Sequence, residues 1–219
     1  VEFKEQPMKT LLGGSAPGAV PVVIGFNHDE MWALIKSIPS WVHGLEAEAA
    51  LALLFDPLTA ERAWKHYSAL YPGDTTSAFI KILTDYVFTC SSQALALALP
   101  APSFTYAYNH LDSFGAAIFA KFNLPQCANR VCHMAEVPLV FGNTGPASLN
   151  ASLSPVERSL SHTFMAAFTN FSRGGDAGWV PFSAPARVGL VINTTAVAMP
   201  LGDAAAVCVD IWDKAGYVH

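Results

Sequence analysis

The sequence has few charged residues and no cluster of basic ones. Asp, Glu, Lys and Arg make up only 13% of the 219 residues, and the net charge is -5. Such a surface offers little attraction to a phosphate backbone, so nucleic acid is not expected as a partner. Hydrophobic residues make up 52% of the chain, which is too many for a disordered protein.

Long apolar runs are also missing. A helix that spans a membrane needs about 20 apolar residues in succession, and the longest candidates here, Ala94–Leu99 and Val20–Ile24, are far shorter. The hydrophobic content nevertheless exceeds that of an ordinary soluble domain of this size. We therefore expect no membrane span, and we expect another polypeptide to cover much of the surface.

The chain begins at Val1, without an initiator methionine or a signal peptide. This start is typical of a processed product or a fragment whose targeting segment has been removed. We therefore expect the chain to be part of a longer precursor.

The sequence also lacks the Gly-x-Ser-x-Gly elbow that a serine hydrolase on an α/β sheet requires. The segment Gly13-Gly14-Ser15-Ala16-Pro17 fails at its last position. Neither Ser113 nor Ser172 has a glycine two residues before it. If the chain takes part in serine chemistry, the nucleophile lies outside these residues.

Short strand patterns alternate with longer helical ones. The β-branched run Val20–Gly25 shows no polar alternation, which predicts a strand buried on both faces of a parallel sheet. Alternating aromatic residues predict a second strand over Ser103–His110, and shorter strands are predicted at Val188–Ile192 and Ala196–Met199. Helices are predicted between them, so the fold class is α/β.

The helical patterns account for most of the remaining chain. A helical excursion is predicted at about 45–100, and Ser154-Pro155-Val156-Glu157 predicts a helix start, with its end at Gly174-Gly175. His110–Gln126 is interpreted as a loop with apolar side chains, and Asp203–Ala215 as the last helix. No linker divides residues 1–219, which we interpret as part of a single domain. So few strands would leave a sheet edge uncovered, a second indication that a larger domain is completed by other residues.

Four cysteines leave three possibilities open. The pairs Cys90–Cys208 and Cys127–Cys132 would be disulfides, which favour an exported protein. Four buried free thiols are the alternative, because cysteine is often buried. A metal site at Cys127 and Cys132 is disfavoured because the spacing fits neither a zinc knuckle nor a haem attachment motif. We therefore expect no metal.

His133 follows Cys132 directly, so a disulfide there would give its imidazole the rigid base that general acid–base catalysis needs. Glu30 comes just after the first predicted strand, where open α/β sheets place their ligands. Asp29 is one residue off and more simply caps a turn. Glu136 has a structural alternative as the partner of Arg130.

Several of these segments resemble the type-B carboxylesterases, the cholinesterase-like family, and especially its bacterial para-nitrobenzyl-esterase-like members. Val22–Glu30 is similar to the segment around the triad acid, and His133–Asn143 to the histidine segment. Phe168–Asp176 resembles the end of a late helix, and Cys208–Trp212 the C-terminal helix. The resemblance covers nearly all of this chain but only the C-terminal half of the family's domain.

The resemblance implies the C-terminal portion of an α/β-hydrolase fold, completed by a separate N-terminal chain. Glu30 would be the triad acid, His133 the general base and Glu136 a second carboxylate nearby, while the cysteine at 208 would pair with one placed like Cys90. The N-terminal chain would carry the nucleophilic serine and the oxyanion hole. The expected activity is hydrolysis of small-molecule carboxylic esters through an acyl-enzyme, without a cofactor.

Two further points follow from the resemblance. Met31 stands where the family usually has glycine after its triad acid, and its larger side chain is expected to narrow the acyl side of the pocket. The alternative function is a cholinesterase-like binding or adhesion domain without turnover, which the retention of both Glu30 and His133 disfavours. The disulfide interpretation implies a secreted or periplasmic protein.

Overall fold

The computed structural model describes residues 7–12, 20–43, 46–145 and 151–217. Four strands form one sheet in the order β1-β2-β3-β4. They are β1 (Val22–Asn27), β2 (Ser103–Tyr108), β3 (Val188–Ile192) and β4 (Ala196–Pro200). The strands β1, β2 and β3 run parallel, and β4 returns antiparallel to β3. The α/β class and the four predicted strands are confirmed.

Helices precede β1, separate β1 from β2 and β2 from β3, and follow β4. The α-helices are α1 (Pro7–Leu12), α2 (Ser40–His43), α3 (Ala47–Leu54), α4 (Pro57–Leu70), α5 (Thr75–Thr84), α6 (Ser91–Ala98), α7 (Gly115–Lys121), α8 (Val137–Val140), α9 (Pro155–Gly174), α10 (Asp203–Val207) and α11 (Asp213–Ala215). Two 3-10 helices (Glu30–Ser37, Pro125–Cys127) and two π-helical turns (Asp85–Cys90, Cys208–Trp212) complete the described elements. None of these helices combines the length and the apolarity needed to cross a membrane.

The long helix α9 is the element that its sequence specifies most fully. The Ser154 hydroxyl accepts from the backbone N–H of Glu157, and the Glu157 carboxylate accepts from the backbone N–H of Ser154, which is a complete capping box. At the other end Gly175 adopts a left-handed conformation, φ +72°, which glycine reaches without a steric penalty. The predicted start and end of this helix are therefore confirmed.

The prediction of a loop over His110–Gln126 is wrong, because this stretch contains α7. Its apolar residues Phe114, Ile118, Phe119 and Phe122 recur at helical spacing. Phe114 and Phe119 are buried among the residues around the sheet, while Phe122 is exposed. Burial of that apolar face stabilises a helix that has no capping side chain at its start.

The two faces of the sheet pack against different parts of the chain. Tyr106 and Tyr108 on β2 lie on the face that packs against α9 and the segment with Cys127, Cys132 and Leu139. Phe26 and Ala107 lie on the opposite face, against α6. The histidine segment is thereby fixed on one face at the carboxyl end of β1 and β2.

Both disulfides are present, so the free-thiol and metal interpretations of the cysteines are wrong. Cys90–Cys208 joins the two π-helical turns across 118 residues of sequence. Cys127–Cys132 closes a small ring directly before His133. Two disulfides are compatible with an exported protein.

The outer edge of β1 has no neighbouring strand among the described residues. Residues Val22–Gly25 are only half-buried, although central parallel strands are normally covered on both faces and paired on both edges. The residues with exposed apolar side chains include Met134, Val137 and Phe141 of the histidine segment. The described surface therefore has an open sheet edge and, in the histidine segment, exposed apolar side chains.

Candidate active site

Glu30 lies at the first position of a 3-10 helix that begins three residues after β1 ends. Its side chain is only 5% exposed. One carboxylate oxygen, Oε1, accepts from the backbone N–H of Asn27 at 2.7 Å, and the other, Oε2, lies 2.6 Å from Nδ1 of His133. Both oxygens of this buried carboxylate therefore have partners, and one partner is the imidazole.

The backbone around His133 is held from both sides. The small disulfide ring ends at Cys132, and Met134 turns the chain at φ +70°, a conformation that is uncommon for a residue with a side chain. The backbone N–H of Val131 donates to Oδ2 of Asp29 at 3.0 Å, and the backbone N–H of Asp29 donates to Val131 O at 2.9 Å. These two bonds tie the histidine segment to the loop after β1. Asp29 thus fixes backbone next to the pair, and its Oδ1 lies 3.0 Å from Nδ1 of His28.

The ring of His133 is 42% exposed, and Phe88 packs against it with 5.2 Å between ring centroids. The hydrogen bond that His133 donates to Glu30 raises the pKa of His133 above its usual range, while burial acts in the opposite direction. When Nδ1–H donates to the carboxylate, the neutral ring presents an unprotonated Nε2. The pair therefore has the arrangement of a general base whose tautomer is set by a buried acid.

Glu136 lies three residues after His133 and is half-buried, facing the sheet residues Asn27 and Tyr106. Its Oε2 accepts from Nδ2 of Asn27 at 2.6 Å, and its Oε1 accepts from the Tyr106 hydroxyl at 3.4 Å. Burial raises the pKa of Glu136, although the bond from Asn27 lowers it. The alternative pairing with Arg130 is wrong, because Arg130 donates to Gln126 O at 2.7 Å and stacks on the ring of Trp32.

Asn27 is the residue of this site that sequence analysis missed. It is the last residue of β1, and its side chain also donates from Nδ2 to Cys132 O at 3.0 Å. A polar residue at the end of an otherwise apolar strand was the available signal. Met31, next to Glu30, is buried, and its backbone N–H donates to the Thr84 hydroxyl at 3.2 Å.

A second cluster of ionisable groups lies just after β2, where His110, Asp112 and Glu157 have side-chain atoms within 4.8 Å of one another. The Glu157 carboxylate is already occupied, because it accepts from the backbone and hydroxyl of Ser113 and from the backbone of Ser154. Burial raises the pKa of Asp112 to about 8, and its carboxylate accepts from the Tyr108 hydroxyl. These groups act as hydrogen-bond partners that connect α9 with the segment after β2.

Two curated relatives align with most of this chain. They are the Crystal protein of Dictyostelium discoideum, 28% identical over 179 residues, and the para-nitrobenzyl esterase of Bacillus subtilis (strain 168), 27% identical over 198 residues. The alignments cover 78% and 87% of this chain but only 31% and 37% of those proteins. The chain therefore spans about a third of the length of these relatives.

The comparison with solved structures likewise matches most of this chain to a part of longer proteins. Two solved structures of para-nitrobenzyl esterases, one of them described as thermophilic, superpose with TM-scores of 0.70 and 0.66 at 24% identity. They match 97% and 94% of this chain and 41% of each esterase. The chain has the fold of a portion of an α/β hydrolase, in agreement with the resemblance to a C-terminal half. Residues 3–186 match the sequence model of the carboxylesterase family, and the chain belongs to that family.

Proposed function

We propose that this chain supplies the acid and the base of a serine carboxylesterase, with Glu30 as the triad acid and His133 as the general base. The observation that supports this most directly is the 2.6 Å contact between the Glu30 carboxylate and Nδ1 of His133. The acid is buried and the ring is partly exposed, so the ring can meet a serine hydroxyl. Glu136 is the second carboxylate that stabilises the segment behind the ring.

In the proposed reaction the serine oxygen attacks the carbonyl carbon of the ester while Nε2 of His133 accepts the hydroxyl proton. The tetrahedral intermediate collapses, and the alcohol leaves with the proton from Nε2. Water then attacks the acyl-enzyme and gives its proton to Nε2, and the serine regains a proton as the carboxylic acid leaves. Glu30 stabilises the imidazolium ion at both stages and remains ionised.

The nucleophile and the oxyanion hole are assigned to a separate N-terminal chain of the same enzyme. These 219 residues contain no Gly-x-Ser-x-Gly elbow. The open edge of β1 is suited to a further strand, and exposed apolar side chains such as Phe141, which is 73% exposed, are suited to cover by another polypeptide. The assembled enzyme is expected to be secreted or periplasmic and to act on small-molecule carboxylic esters.

A fluorophosphonate probe tests this assignment on the protein purified from its source. We expect mass spectrometry under denaturing conditions to find this chain with a second polypeptide of comparable size, and the probe to modify a serine of that polypeptide. His133→Ala should prevent the labelling, because the serine loses its base. A single longer polypeptide with the same labelled serine would contradict only the assignment of the serine to a separate chain. An assembly without a reactive serine would favour the binding or adhesion domain.

The pH dependence of kcat/KM offers an independent prediction, because it reports the ionisation of the free enzyme. Glu30 raises the pKa of His133, and the base must be neutral, so activity should fall as the pH drops through that raised pKa. This fall in activity is the acidic limb of the pH profile. In Glu30→Gln the acidic limb of the residual activity should lie at lower pH, because the neutral amide no longer stabilises the imidazolium ion. Glu61→Gln, at an exposed position of α4, is the matched control. An acidic limb at the same pH in Glu30→Gln and the native enzyme would contradict the assignment.

A further inference from the structure

Asn27 contacts three parts of the candidate site, one through its backbone and two through its side chain. Its backbone N–H donates to Oε1 of Glu30, and its side-chain Nδ2 donates both to Cys132 O and to Oε2 of Glu136. One residue at the end of β1 therefore contacts the acid, the peptide directly before the base and the second carboxylate. These groups come from segments more than 100 residues apart in sequence.

We propose that Asn27 is a positioning residue that sets the distance between the acid and the base and keeps Glu136 ionised beside them. This inference rests on the proposed function, because it concerns the same pair of residues. It assigns to the asparagine side chain a role in turnover that is separate from the stability of the sheet.

The orientation of the Asn27 amide is fixed by its partners. Both acceptors, Cys132 O and Oε2 of Glu136, require the nitrogen, so the amide cannot be turned over without losing two hydrogen bonds. Asn27 is only 1% exposed, and its Oδ1 has no partner among the described residues. A buried carbonyl without a partner costs free energy. An apolar residue would avoid that cost, so the amide is better explained by its two donated bonds than by the stability of the strand.

The neighbouring residues hold Glu136 in reach of that amide. The ring of Tyr106 lies across Gly25, where an added Cβ would meet ring atoms at 2.0 to 2.2 Å, so only glycine leaves room for the ring. From this position the Tyr106 hydroxyl donates to Oε1 of Glu136. Glu136 is thus bonded from β1 through Asn27 and from β2 through Tyr106.

Loss of the Asn27 amide should act on the base through charge as well as through geometry. The titratable groups that influence Glu136 or respond to its charge are Glu30, His133, Tyr106, Tyr108 and Asp112. Without the bond from Nδ2, burial favours the protonated form of Glu136. Protonated Glu136 no longer stabilises the imidazolium form of His133. The acidic limb of the pH profile should therefore move to lower pH in such a variant.

The test compares Asn27→Leu and Asn27→Asp with Thr105→Val in the complete enzyme, this chain together with the polypeptide that carries its serine. Both Asn27 variants keep the approximate size of the side chain and lose its N–H donors. Thr105 is a buried residue of β2 whose hydroxyl also has no partner among the described residues. Thr105→Val therefore controls for a polar group lost from the sheet and should keep native turnover.

With a para-nitrophenyl ester we expect kcat to fall about 10- to 100-fold in both Asn27 variants, because displacement of catalytic groups by about 1 Å has effects of this size. KM should change much less. The acidic limb in Asn27→Leu should lie at lower pH than in the native enzyme. If Asn27→Leu fails to fold, the kcat of the isosteric Asn27→Asp tests the positioning role in its place.

Unchanged kcat in a folded Asn27 variant, or an equal loss in Thr105→Val, would overturn the inference while leaving the proposed function intact. If the native protein hydrolyses no ester, the proposed function fails, but the inference is still tested by titration of the His133 ring followed by nuclear magnetic resonance. A lower ring pKa in Asn27→Leu than in the native protein supports the positioning role, and an equal pKa overturns it.

Discussion

Glu30→Gln is expected to lower kcat for ester hydrolysis about 10⁴-fold, the loss that follows removal of the charge from a triad carboxylate. The glutamine amide can present its nitrogen to Nδ1 of His133, which favours the tautomer with the proton on Nε2. That tautomer cannot accept a proton from serine. Because Oε1 of Glu30 accepts a backbone bond and Oε2 faces the ring, the amide oxygen can satisfy only one of the two.

Turnover of an activated ester by the complete enzyme measures this effect, and thermal unfolding shows whether the variant is folded. His133→Ala should lose at least as much activity, and the two changes together should cost little more than the larger single loss, since acid and base act as one unit. Glu61→Gln at the exposed control position should leave turnover unchanged. A folded Glu30→Gln enzyme with more than a tenth of native kcat would contradict the assignment of Glu30 as the triad acid.

The sequence predicted those parts of the fold that depend on local chemistry. The apolar run that forms β1 and the capping box of α9 each identify an element from adjacent residues, and both appear where they were expected. The helix α7 was missed because it begins without a capping side chain and is stabilised by burial of Phe114 and Phe119. The helical spacing of its apolar residues was a local signal, but the burial that stabilises the helix depends on residues distant in sequence.

The residues of the candidate site were likewise predicted only in part. His133 and Glu30 are separated by 103 residues, and it was the family resemblance that first brought them together. The position of Asn27 at the end of an apolar strand was a local signal, but its partners Cys132 and Glu136, which give it a role in the site, come more than 100 residues later. Arg130 looked like a partner for Glu136 by proximity in sequence, yet its guanidinium group stacks on Trp32. Side-chain orientation, which sequence spacing does not give, decided both cases.

The two disulfides are expected to differ in what they contribute, the large loop mainly to stability and the small ring mainly to turnover. In the chain-entropy description, a crosslink that closes a loop of 118 residues stabilises the folded state by about 5 kcal/mol. The Cys127–Cys132 ring closes only 5 residues, for which the same description gives about 2 kcal/mol. Replacing both cysteines of the large loop by alanine should therefore lower the free energy of unfolding considerably more than the same change in the small ring.

Turnover should fall more when the small ring is lost than when the large loop is opened. The small ring ends at Cys132, whose carbonyl accepts from Asn27 and whose neighbour is His133, so its loss frees the backbone that positions the base. Urea unfolding and kcat, measured on both double-alanine variants under conditions where both are folded, separate the two effects. Gradual reduction of the native enzyme should likewise lower kcat before the domain unfolds. Full turnover in the Cys127→Ala, Cys132→Ala variant would show that the hydrogen bonds of Asp29 and Asn27 hold the histidine segment without the ring.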